Sequence, residues 1–261
     1  MLVYDDGQVA LRCGDAAAEL RNMPTGSVDC VVTSPPYWGL RDYRIAGQLG
    51  TEPTVADVVA VLEQLVPVLA PDGSAWLNLG DSYGGSWGGY VAEGSAVRRS
   101  RYGWHRPPQS KCQAKDLVGV PWRVAFPLRE RGWAVRREIV WHKPNARPES
   151  VRDRLAHRYE TIFELGRDRD ETNETAAGPE VWTVSSDRAR LRHPAVGTRE
   201  IARRCVRLGC DTGGTVLDPF SGTGATGLAA REQRCRFVGI DADPRCHEIA
   251  LTRLGLAGER A

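Results

Sequence analysis

A glycine-rich segment that follows an apolar run constrains the fold of this chain more than any other feature. The run Val216-Leu217-Asp218 predicts a buried strand that ends in an acid, and residues 219–227 form a glycine-rich turn that opens into a helix. Glycines let the backbone approach a ligand closely. In a doubly wound sheet, nucleotide-like ligands bind at this place, outside the carboxyl ends of the strands. The next apolar run ends in Asp241, 23 residues after Asp218, a spacing typical of an acid that holds ribose hydroxyls.

Three other interpretations of this segment compete with a cofactor site. A phosphate-binding P-loop would need a Lys after the last glycine of its motif, and no Lys follows the glycines here. A dinucleotide-binding fold shares the strand, turn and helix, although Gly222-x-Gly224-x-x-Gly227 alone is weak evidence for it. The third is a tight structural turn without a ligand. The combination of strand, turn, helix and distal acid favours a ligand site.

Apolar runs and helical stretches alternate along most of the chain, which predicts an α/β fold with a largely parallel sheet in one domain, residues 1–261. Two polar stretches, 84–108 and 166–190, lack apolar periodicity and are predicted to be loops. The predicted strands cover 28–33, 75–79, 133–141, 159–165, 215–218 and 237–241. The predicted helices cover 54–69, 119–131, 198–208, the stretch after the glycine-rich turn to about 232, and 244–254.

Composition excludes several classes of protein. No run approaches the ~18 apolar residues that a membrane span needs, and the first ten residues lack the pattern of a signal peptide, so we expect a cytoplasmic protein that does not contact a membrane. The seven cysteines are odd in number, and no pair has CxxC spacing. This pattern argues against a disulfide framework or a metal site and predicts buried, reduced thiols.

Charge is concentrated in one part of the chain. Residues 97–158 contain 16 basic and 5 acidic side chains, whereas residues 1–96 contain 4 basic and 12 acidic ones. Such a local excess of positive charge is typical of a protein with a polyanionic partner. A solvated basic face without a partner is the alternative.

A second segment whose residues could take part in catalysis is Thr33-Ser34-Pro35-Pro36-Tyr37-Trp38. It follows the predicted strand 28–33, so it lies at the carboxyl end of that strand. Taken alone, Pro-Pro-Tyr is equally typical of a rigid surface turn or a polyproline II segment. Its position after a buried strand, in the same chain as the glycine-rich turn, favours a functional loop.

These segments together resemble the β group of DNA amino-methyltransferases, in which the catalytic motif precedes the cofactor motif. Ser34-Pro35-Pro36-Tyr37 resembles the catalytic tetrapeptide, in the Ser form that is commonest among N4-cytosine enzymes. Asp218-Pro219-Phe220-x-Gly222-x-Gly224 resembles the core of the cofactor pocket. The likeness covers most of the chain, and residues 38–43, 132–144 and 158–163 also resemble family segments.

The resemblance implies a Rossmann-like, S-adenosylmethionine-dependent methyltransferase fold: a mostly parallel sheet of seven strands, one of them antiparallel. It implies methylation of the N4 amino group of cytosine in double-stranded DNA. It is compatible with a monomer or homodimer of prokaryotic or phage origin and with a cognate restriction endonuclease as a partner. Gly14-Asp15 resembles the family's acidic motif, and His193-Pro194-Ala195 resembles the element that opens the pocket. The residues expected at the cofactor are Asp15, Asp218, Pro219, Phe220, Gly222, Gly224, Asp241 and His193.

The chemistry of amino methylation suits the tetrapeptide. An exocyclic amino group is a poor nucleophile because its lone pair is delocalised into the ring. Two acceptors pointed at its hydrogens, the Ser34 hydroxyl and the Pro35 carbonyl, would favour a pyramidal nitrogen. Pro35 and Pro36 fix the direction of the backbone and thereby of this carbonyl. Tyr37 offers a face on which a flipped base can stack. Displacement at a sulfonium requires no metal, so positioning and electrostatics supply the catalysis.

Two departures from the family pattern concern DNA recognition and the pocket. The family often has a Pro shortly after His-Pro-Ala, where this chain has Val196-Gly197. The spacer at 166–192, where such enzymes place target recognition, is short. We therefore expect the basic and aromatic loop 84–115 to contact DNA, although packing of its aromatic residues under the loop is an alternative. The predicted DNA-binding residues are Arg98, Arg99, Arg101, Trp104, Arg106 and Lys111.

Other functions stay open at this point. N6-adenine methylation is the nearest, because the same acceptors would serve either base. Methylation of RNA or protein, and a DNA-binding module without catalysis, are more distant. Cys112 lacks the preceding Pro of C5-cytosine enzymes and is not expected to be a nucleophile, and His142 is expected to be structural.

Overall fold

A single twisted sheet organises the molecule. The computed structural model describes residues 1–37, 49–50, 55–81, 83, 115–146, 155–167, 178–187 and 197–257. The strands are β1 (Leu2–Asp5), β2 (Val9–Cys13), β3 (Val28–Thr33), β4 (Leu69–Leu79), β5 (Ala134–His142), β6 (Tyr159–Gly166), β7 (Val181–Thr183), β8 (Thr215–Asp218) and β9 (Arg236–Asp241). The helices are α1 (Ala16–Arg21), α2 (Ala56–Glu63), α3 (Leu65–Val68), α4 (Val120–Glu130), α5 (Arg199–Gly209), α6 (Ala225–Glu232) and α7 (Pro244–Leu254).

The strands lie in the order β1-β2-β9-β8-β3-β4-β6-β5-β7. Within the described ranges, β1 and β6 run antiparallel to the other strands. The predicted α/β class is confirmed, but the count of seven strands with one antiparallel is wrong. The seven strands from β2 to β5 match that description, and the short edge strands β1 and β7 extend the sheet to nine. Gly7, with φ +80°, allows the tight turn that pairs β1 with β2.

Alternating side chains divide the core between the two faces of the sheet. Val216 packs on one face with α5, α6 and α7, whereas its neighbour Leu217 packs on the other face with α1 to α4. Cys30 and Val31 divide in the same way. Because successive side chains of a strand point to opposite faces, a strand covered by helices on both sides is apolar at nearly every position. The short apolar runs of this sequence therefore occupy the centre of a three-layer structure.

Three sequence-based boundaries are wrong in detail. The helix predicted over 54–69 is two helices, α2 and α3, because Pro67 lacks the N–H that would continue the hydrogen-bond ladder. Strand β4 begins at Leu69 rather than at residue 75, since Pro71-Asp72-Gly73 forms a bulge within the strand. The stretch 166–190, predicted to be loop, contains β7, whose three residues pair with the end of β5. Three residues are too few for an alternating pattern to reveal a strand.

The compositional predictions concern the cysteines and the helices. The six cysteines of the described ranges are free, and four of them are buried: Cys30, Cys205, Cys235 and Cys246. The prediction of buried thiols is therefore confirmed for these four, while Cys112 lies outside the described residues. Across the described ranges, every helix is too short or too polar to cross a bilayer.

Candidate functional site

The glycine-rich turn and the Ser-Pro-Pro-Tyr segment lie side by side at the carboxyl edge of the sheet. Strands β3 and β8 are parallel neighbours, with Cys30 opposite Val216 and Val31 opposite Leu217. From β8 the chain passes through α6 to β9 on one side, and from β3 it passes through α2 and α3 to β4 on the other. The connections therefore diverge at this point of the sheet. Such a switch point opens a crevice in which α/β proteins bind their ligands.

The loop after β8, which we call the glycine corner (residues 219–224), is shaped by its backbone. Gly222 and Gly224 have φ of +49° and +78°, a region that side chains with a Cβ rarely adopt. The Ser221 amide donates to the Ile240 carbonyl at 2.8 Å, and the Gly224 amide donates to the Ser221 carbonyl at 2.9 Å. Gly224 is also the N-cap of α6, so the corner delivers the chain directly into that helix.

Close helix packing explains the third glycine of this motif. A Cβ on Gly227 would lie 2.7 Å from the ring of Phe237 on β9, closer than carbon atoms approach in folded proteins. The absence of a side chain lets α6 settle directly on the sheet. Helix α6 and the glycine corner are thereby fixed relative to β9, whose last residue is Asp241.

Asp241 supports the glycine corner from the neighbouring strand. Its Oδ2 accepts the Gly222 amide at 2.8 Å, and its Oδ1 accepts the Asp243 amide at 2.8 Å. Its carbonyl accepts the Gly14 amide at 3.0 Å and lies 3.1 Å from Nε2 of His247, which is buried. Each carboxylate oxygen has two lone pairs, so the half-buried Asp241 keeps acceptor capacity for a further ligand.

Asp15 caps a helix at the same edge. It follows β2, which pairs with β9, and its Oδ1 accepts the Ala18 amide at 2.8 Å as the N-cap of α1. The side chain is exposed, beside the loop that carries Asp241. Asp15 and Asp241, two of the three acids that the sequence predicts at the cofactor, therefore lie at the carboxyl ends of neighbouring strands.

Asp218 joins the two loops. Its Oδ1 accepts the Thr33 hydroxyl at 2.7 Å and the Phe220 amide at 3.1 Å, and its Oδ2 accepts the Thr226 hydroxyl at 2.7 Å. Burial raises the pKa of Asp218 to about 6, although these hydrogen bonds oppose the shift. Since Thr33 immediately precedes Ser34, one buried carboxylate connects the start of the second loop with the glycine corner and with α6.

The loop after β3, which we call the SPPY corner (residues 34–37), presents a hydroxyl and a ring. Ser34 is exposed, Pro35 is buried, and Pro36 and Tyr37 are half-buried. The Tyr37 ring lies against Gly80, where a Cβ would come within 2.7 Å of ring atom Cε2. The residue after β4 must therefore be small for Tyr37 to occupy this position.

A polar network that sequence reasoning did not foresee supports this corner. Asn78 Nδ2 lies 3.1 Å from Ser34 Oγ, 2.9 Å from the Tyr37 hydroxyl and 2.7 Å from Glu160 Oε2. The Tyr37 hydroxyl donates to Glu160 Oε2 at 2.6 Å. Lys143 Nζ donates to Glu160 Oε1 at 2.6 Å. The network brings together the ends of β3, β4 and β5 with the start of β6, which runs the opposite way.

Charge within this network keeps Glu160 ionised. Burial alone would raise the pKa of Glu160, but the charge of Lys143 and the hydrogen bonds from Lys143, Tyr37 and Asn78 together lower it below its ordinary value. A local signal was present for Asn78, which interrupts the apolar run at the end of β4, whereas Glu160 is one of several polar residues of β6. That signal did not show that they meet.

The remaining predicted residues either lie outside the polar network or are outside the described residues. Pro219 is buried and Phe220 is half-buried within the glycine corner. His142 places Nδ1 3.3 Å from the Thr183 hydroxyl on the adjacent strand, in keeping with a structural histidine. His193 lies outside the described residues, as do all six predicted DNA-binding residues: Arg98, Arg99, Arg101, Trp104, Arg106 and Lys111.

Comparison with known proteins identifies this arrangement. The sequence model of a DNA methylase family, named for N6 and N4 methylation, matches residues 28–252, which include both corners. The chain belongs to this DNA methylase family. The family uses S-adenosylmethionine as methyl donor, so the chain is an S-adenosylmethionine-dependent DNA methyltransferase. The predicted family, activity and cofactor are confirmed.

Individual relatives are similar over nearly their whole length. The Type II methyltransferase M.XycI of Xanthomonas campestris pv. cyanopsidis is 39% identical over 257 residues, which cover 92% of this chain and 86% of the relative. In structure, PvuII DNA methyltransferase (cytosine-N4-specific) aligns with a TM-score of 0.72 and 18% identity over 95% of this chain and 86% of its own. A putative DNA modification methylase of Thermus thermophilus, solved with S-adenosyl-L-methionine, aligns with a TM-score of 0.66 and 25% identity, covering 96% and 95%.

The glycine corner of this methylase fits S-adenosylmethionine. The buried Ser221 hydroxyl has no hydrogen-bond partner among the described residues, and a Cβ on Gly222 would meet only the Phe220 carbonyl, at 3.9 Å. The Asp241 carboxylate, with acceptor capacity for hydroxyls, stands beside this open backbone. Glycine backbone, a hydroxyl and an acid are the groups that a polar ribosyl sulfonium requires.

Proposed function

We propose that this methylase transfers the methyl group to the exocyclic N4 amino group of cytosine in double-stranded DNA. The observation that carries the proposal is the position of Ser34, which is exposed at the sheet edge while Thr33, the residue before it, is bonded to Asp218, the residue before the glycine corner. The Ser form of the tetrapeptide resembles that of N4-cytosine enzymes. The methyl donor and the target base would thus occupy adjacent positions at one switch point.

The residues of the SPPY corner would activate the amino group. The Ser34 hydroxyl and the Pro35 carbonyl would accept its two N–H groups, so that the nitrogen lone pair turns towards the methyl group. Tyr37 would stack on the base after the base leaves the duplex. A nitrogen–carbon bond would form as the carbon–sulfur bond of the donor breaks with its electrons passing to sulfur, and the amino nitrogen would then release one proton to solvent.

The glycine corner and its neighbours would hold the methyl donor. When bound, S-adenosylmethionine supplies an activated methyl group on a sulfonium. We assign Asp241 to the ribose hydroxyls, Asp15 to the exposed side of the donor, and Pro219, Phe220, Gly222 and Gly224 to the pocket wall. Asp218 would act mainly by fixing the two corners relative to each other, because its carboxylate already accepts three protein hydrogen bonds. His193 keeps its predicted role at the pocket opening.

Identification of the modified nucleoside tests the choice of base. Purified protein would be incubated with S-adenosylmethionine and genomic DNA from a strain without DNA methyltransferases, and the nucleosides analysed by mass spectrometry. N4-methylcytosine is the expected product. Recovery of N6-methyladenine alone would refute the cytosine assignment. Methylation of RNA or peptide with DNA untouched would refute the choice of substrate.

Loop 84–115 is the proposed DNA contact, and its charge gives a measurable expectation. Changing Arg98, Arg99 and Arg101 together to Gln should flatten the salt dependence of DNA binding, because each lost phosphate contact lowers the slope of log K against log salt by about 0.9. Binding titrations at several salt concentrations measure this slope. An unchanged slope would remove these arginines from the interface.

Membership of a restriction-modification system is a further part of the proposal. It is supported by the relative M.XycI, which is named a Type II methyltransferase. We propose that a cognate restriction endonuclease cuts the sequence that this methylase protects. Plasmid from cells that express the methylase should resist one specificity within a panel of type II endonucleases, and plasmid from cells with a Ser34→Ala variant should be cut.

A further inference from the structure

Glu160 stands where three segments of the methylase meet, and this position suggests more than a structural ion pair. We propose that Glu160, together with Lys143, is a positioning residue that sets the hydrogen-bonding polarity of Ser34 and the orientation of Tyr37. The inference rests on the proposed function, in which Ser34 and Tyr37 contact the target base. It concerns how the site is organised to hold that base.

The orientation of the Asn78 amide depends on Glu160. A carboxylate accepts hydrogen bonds and donates none, so Glu160 Oε2, at 2.7 Å, requires the NH2 end of Asn78 and repels its oxygen. The same Nδ2 lies 3.1 Å from Ser34 Oγ. Asn78 Oδ1 is buried and has no hydrogen-bond partner among the described residues. The amide thus leaves its own oxygen unsatisfied while its nitrogen faces the carboxylate, which is the arrangement expected if Glu160 dictates the orientation.

This orientation determines what Ser34 offers to a base. A hydroxyl has one hydrogen and two lone pairs, and a bond from Asn78 occupies one lone pair. The exposed side of Ser34 then retains one acceptor and one donor. Those two functions match an amino group next to an unprotonated ring nitrogen, the pattern of N4 and N3 in cytosine and also of N6 and N1 in adenine. If the amide were reversed, Asn78 would take the Ser34 hydrogen, and the match to the ring nitrogen would be lost.

The same carboxylate fixes the ring of Tyr37. The Tyr37 hydroxyl donates to Glu160 Oε2 at 2.6 Å and lies 2.9 Å from Asn78 Nδ2, while the ring lies against Gly80. A ring held at its hydroxyl end and along one edge has little rotational freedom left. The stacking surface for a base is therefore organised before the base arrives, which lowers the entropic cost of binding it.

Lys143 keeps Glu160 charged in a site where only 14% of the Glu160 side chain is exposed. Lys143 Nζ is 2.6 Å from Glu160 Oε1 and also lies over the Trp141 ring, 5.2 Å from its centroid. In the described structure, Lys143 and Tyr37 are the titratable groups in contact with Glu160. Loss of Lys143 should therefore raise the pKa of Glu160, because burial would no longer be opposed by an opposite charge.

Two variants and one matched control test the proposal. Glu160→Gln removes the charge at nearly constant shape. Glu164→Gln makes the same change four residues away on β6, where Glu164 Oε2 lies 3.2 Å from Arg137 and outside the network. Lys143→Met retains the carboxylate but removes its counter-charge. For each, single-turnover methyl transfer to methylation-free genomic DNA is measured from pH 5 to 9, with S-adenosylmethionine affinity measured by calorimetry.

The expected result is a rate reduced about 10- to 100-fold in Glu160→Gln, as for the loss of charge-assisted hydrogen bonds, with donor affinity within about twofold of the wild type. Glu164→Gln should keep the wild-type rate. In Lys143→Met the acidic fall in rate should move to higher pH, whereas Glu160→Gln should show no fall attributable to this carboxylate.

Three results would overturn the proposal: a Glu160→Gln rate within about threefold of wild type, an equal loss in Glu164→Gln, or a Lys143→Met pH profile that superimposes on the wild type. If Glu160→Gln fails to bind the donor, the Lys143→Met profile decides. The assay counts methyl groups transferred to any base. If the wild type methylates adenine, the proposed base is refuted, but the same comparison of variants still tests the role of Glu160.

Discussion

The glycine corner and the SPPY corner end neighbouring strands, yet they are constructed differently. The glycine corner is set by backbone: positive φ at Gly222 and Gly224, and the Gly222 amide bonded to Asp241 19 residues later. The SPPY corner is set by side chains from distant segments, since Tyr37 bonds to Glu160, 123 residues away. We infer that the first corner is a rigid receptor for the donor, and that the second depends on a charge network.

This difference makes the two corners separable by mutation. A change in the SPPY corner should reduce the rate of methyl transfer and spare donor binding, while a change in the glycine corner should do the opposite. Asp218, which bonds to Phe220 in the glycine corner and to Thr33 just before the SPPY corner, should affect the stability of their connection. The three predictions that follow test this division, from the largest expected effect to the smallest.

Replacing Tyr37 with Ala should produce the largest effect. Loss of the ring removes the stacking surface and one partner of Glu160, so kcat should fall about 10²- to 10³-fold, equivalent to roughly 3–4 kcal/mol of transition-state stabilisation. Affinity for S-adenosylmethionine should change less than about threefold. Steady-state kinetics and calorimetry on the same preparation measure both quantities. Equal losses in both would show that the corners are not separable.

Asp218→Asn should change the pH dependence of stability. The folded-state pKa of about 6 lies above the ordinary value of 3.8, so this group's contribution is complete below about pH 4 and is lost as the pH rises through 6. At ~1.4 kcal/mol per pKa unit, the wild type should lose up to about 3 kcal/mol across that range. The variant, which cannot ionise, should lack this loss.

Urea denaturation at pH 4, 6 and 8 measures the difference between the two proteins. The free energy of unfolding of the variant minus that of the wild type should increase as the pH rises, so the variant gains stability relative to the wild type. A constant difference at the three pH values would mean that Asp218 does not titrate in this range. Asp218 would then keep one protonation state from pH 4 to pH 8, and its contribution to the connection between the corners would not depend on pH.

Asp241→Ala should have the smallest of the three effects, confined to donor binding. The lost bonds to ribose and to the Gly222 amide should weaken S-adenosylmethionine binding about 10- to 30-fold, or roughly 1.4–2 kcal/mol. At saturating donor, kcat should stay within about threefold of wild type. Asp243→Ala is the matched control, because it removes a carboxylate two residues away that caps α7 and is bonded to Arg245. Equal weakening in both variants would assign the effect to the loop rather than to Asp241.

The contrast between the corners also explains what the sequence could predict. Strands β3, β8 and β9, helix α7 and the glycine corner follow from local signals: apolar runs, an Asp243-Pro244 helix start, and glycines where φ is positive. The family resemblance extended these signals to the SPPY corner. Local patterns were insufficient where contacts between distant segments decide the structure.

The polar network is the clearest case of such dependence. Asn78 and Glu160 are 82 residues apart, and their contact follows from the antiparallel pairing of β4 with β6, which no local pattern specifies. The same holds for β7, a three-residue strand that exists because the end of β5 offers it a partner. Asp218 was predicted to contact the methyl donor because of its position at the end of a strand. Its hydrogen bonds to Thr33 and Thr226 could be seen only in the folded structure.

The central claim is that both corners form one site, with the methyl donor at the glycines and the base at Ser34. A crystal structure with sinefungin, an unreactive analogue of S-adenosylmethionine, measures this directly. In this analogue an amine nitrogen stands in the place of the transferred methyl carbon. A base nitrogen placed about 3–3.5 Å from both the transferred carbon and Ser34 Oγ requires that amine nitrogen to lie within about 7 Å of Ser34 Oγ. An analogue bound in a separate cavity, with that distance beyond about 12 Å, would contradict the account.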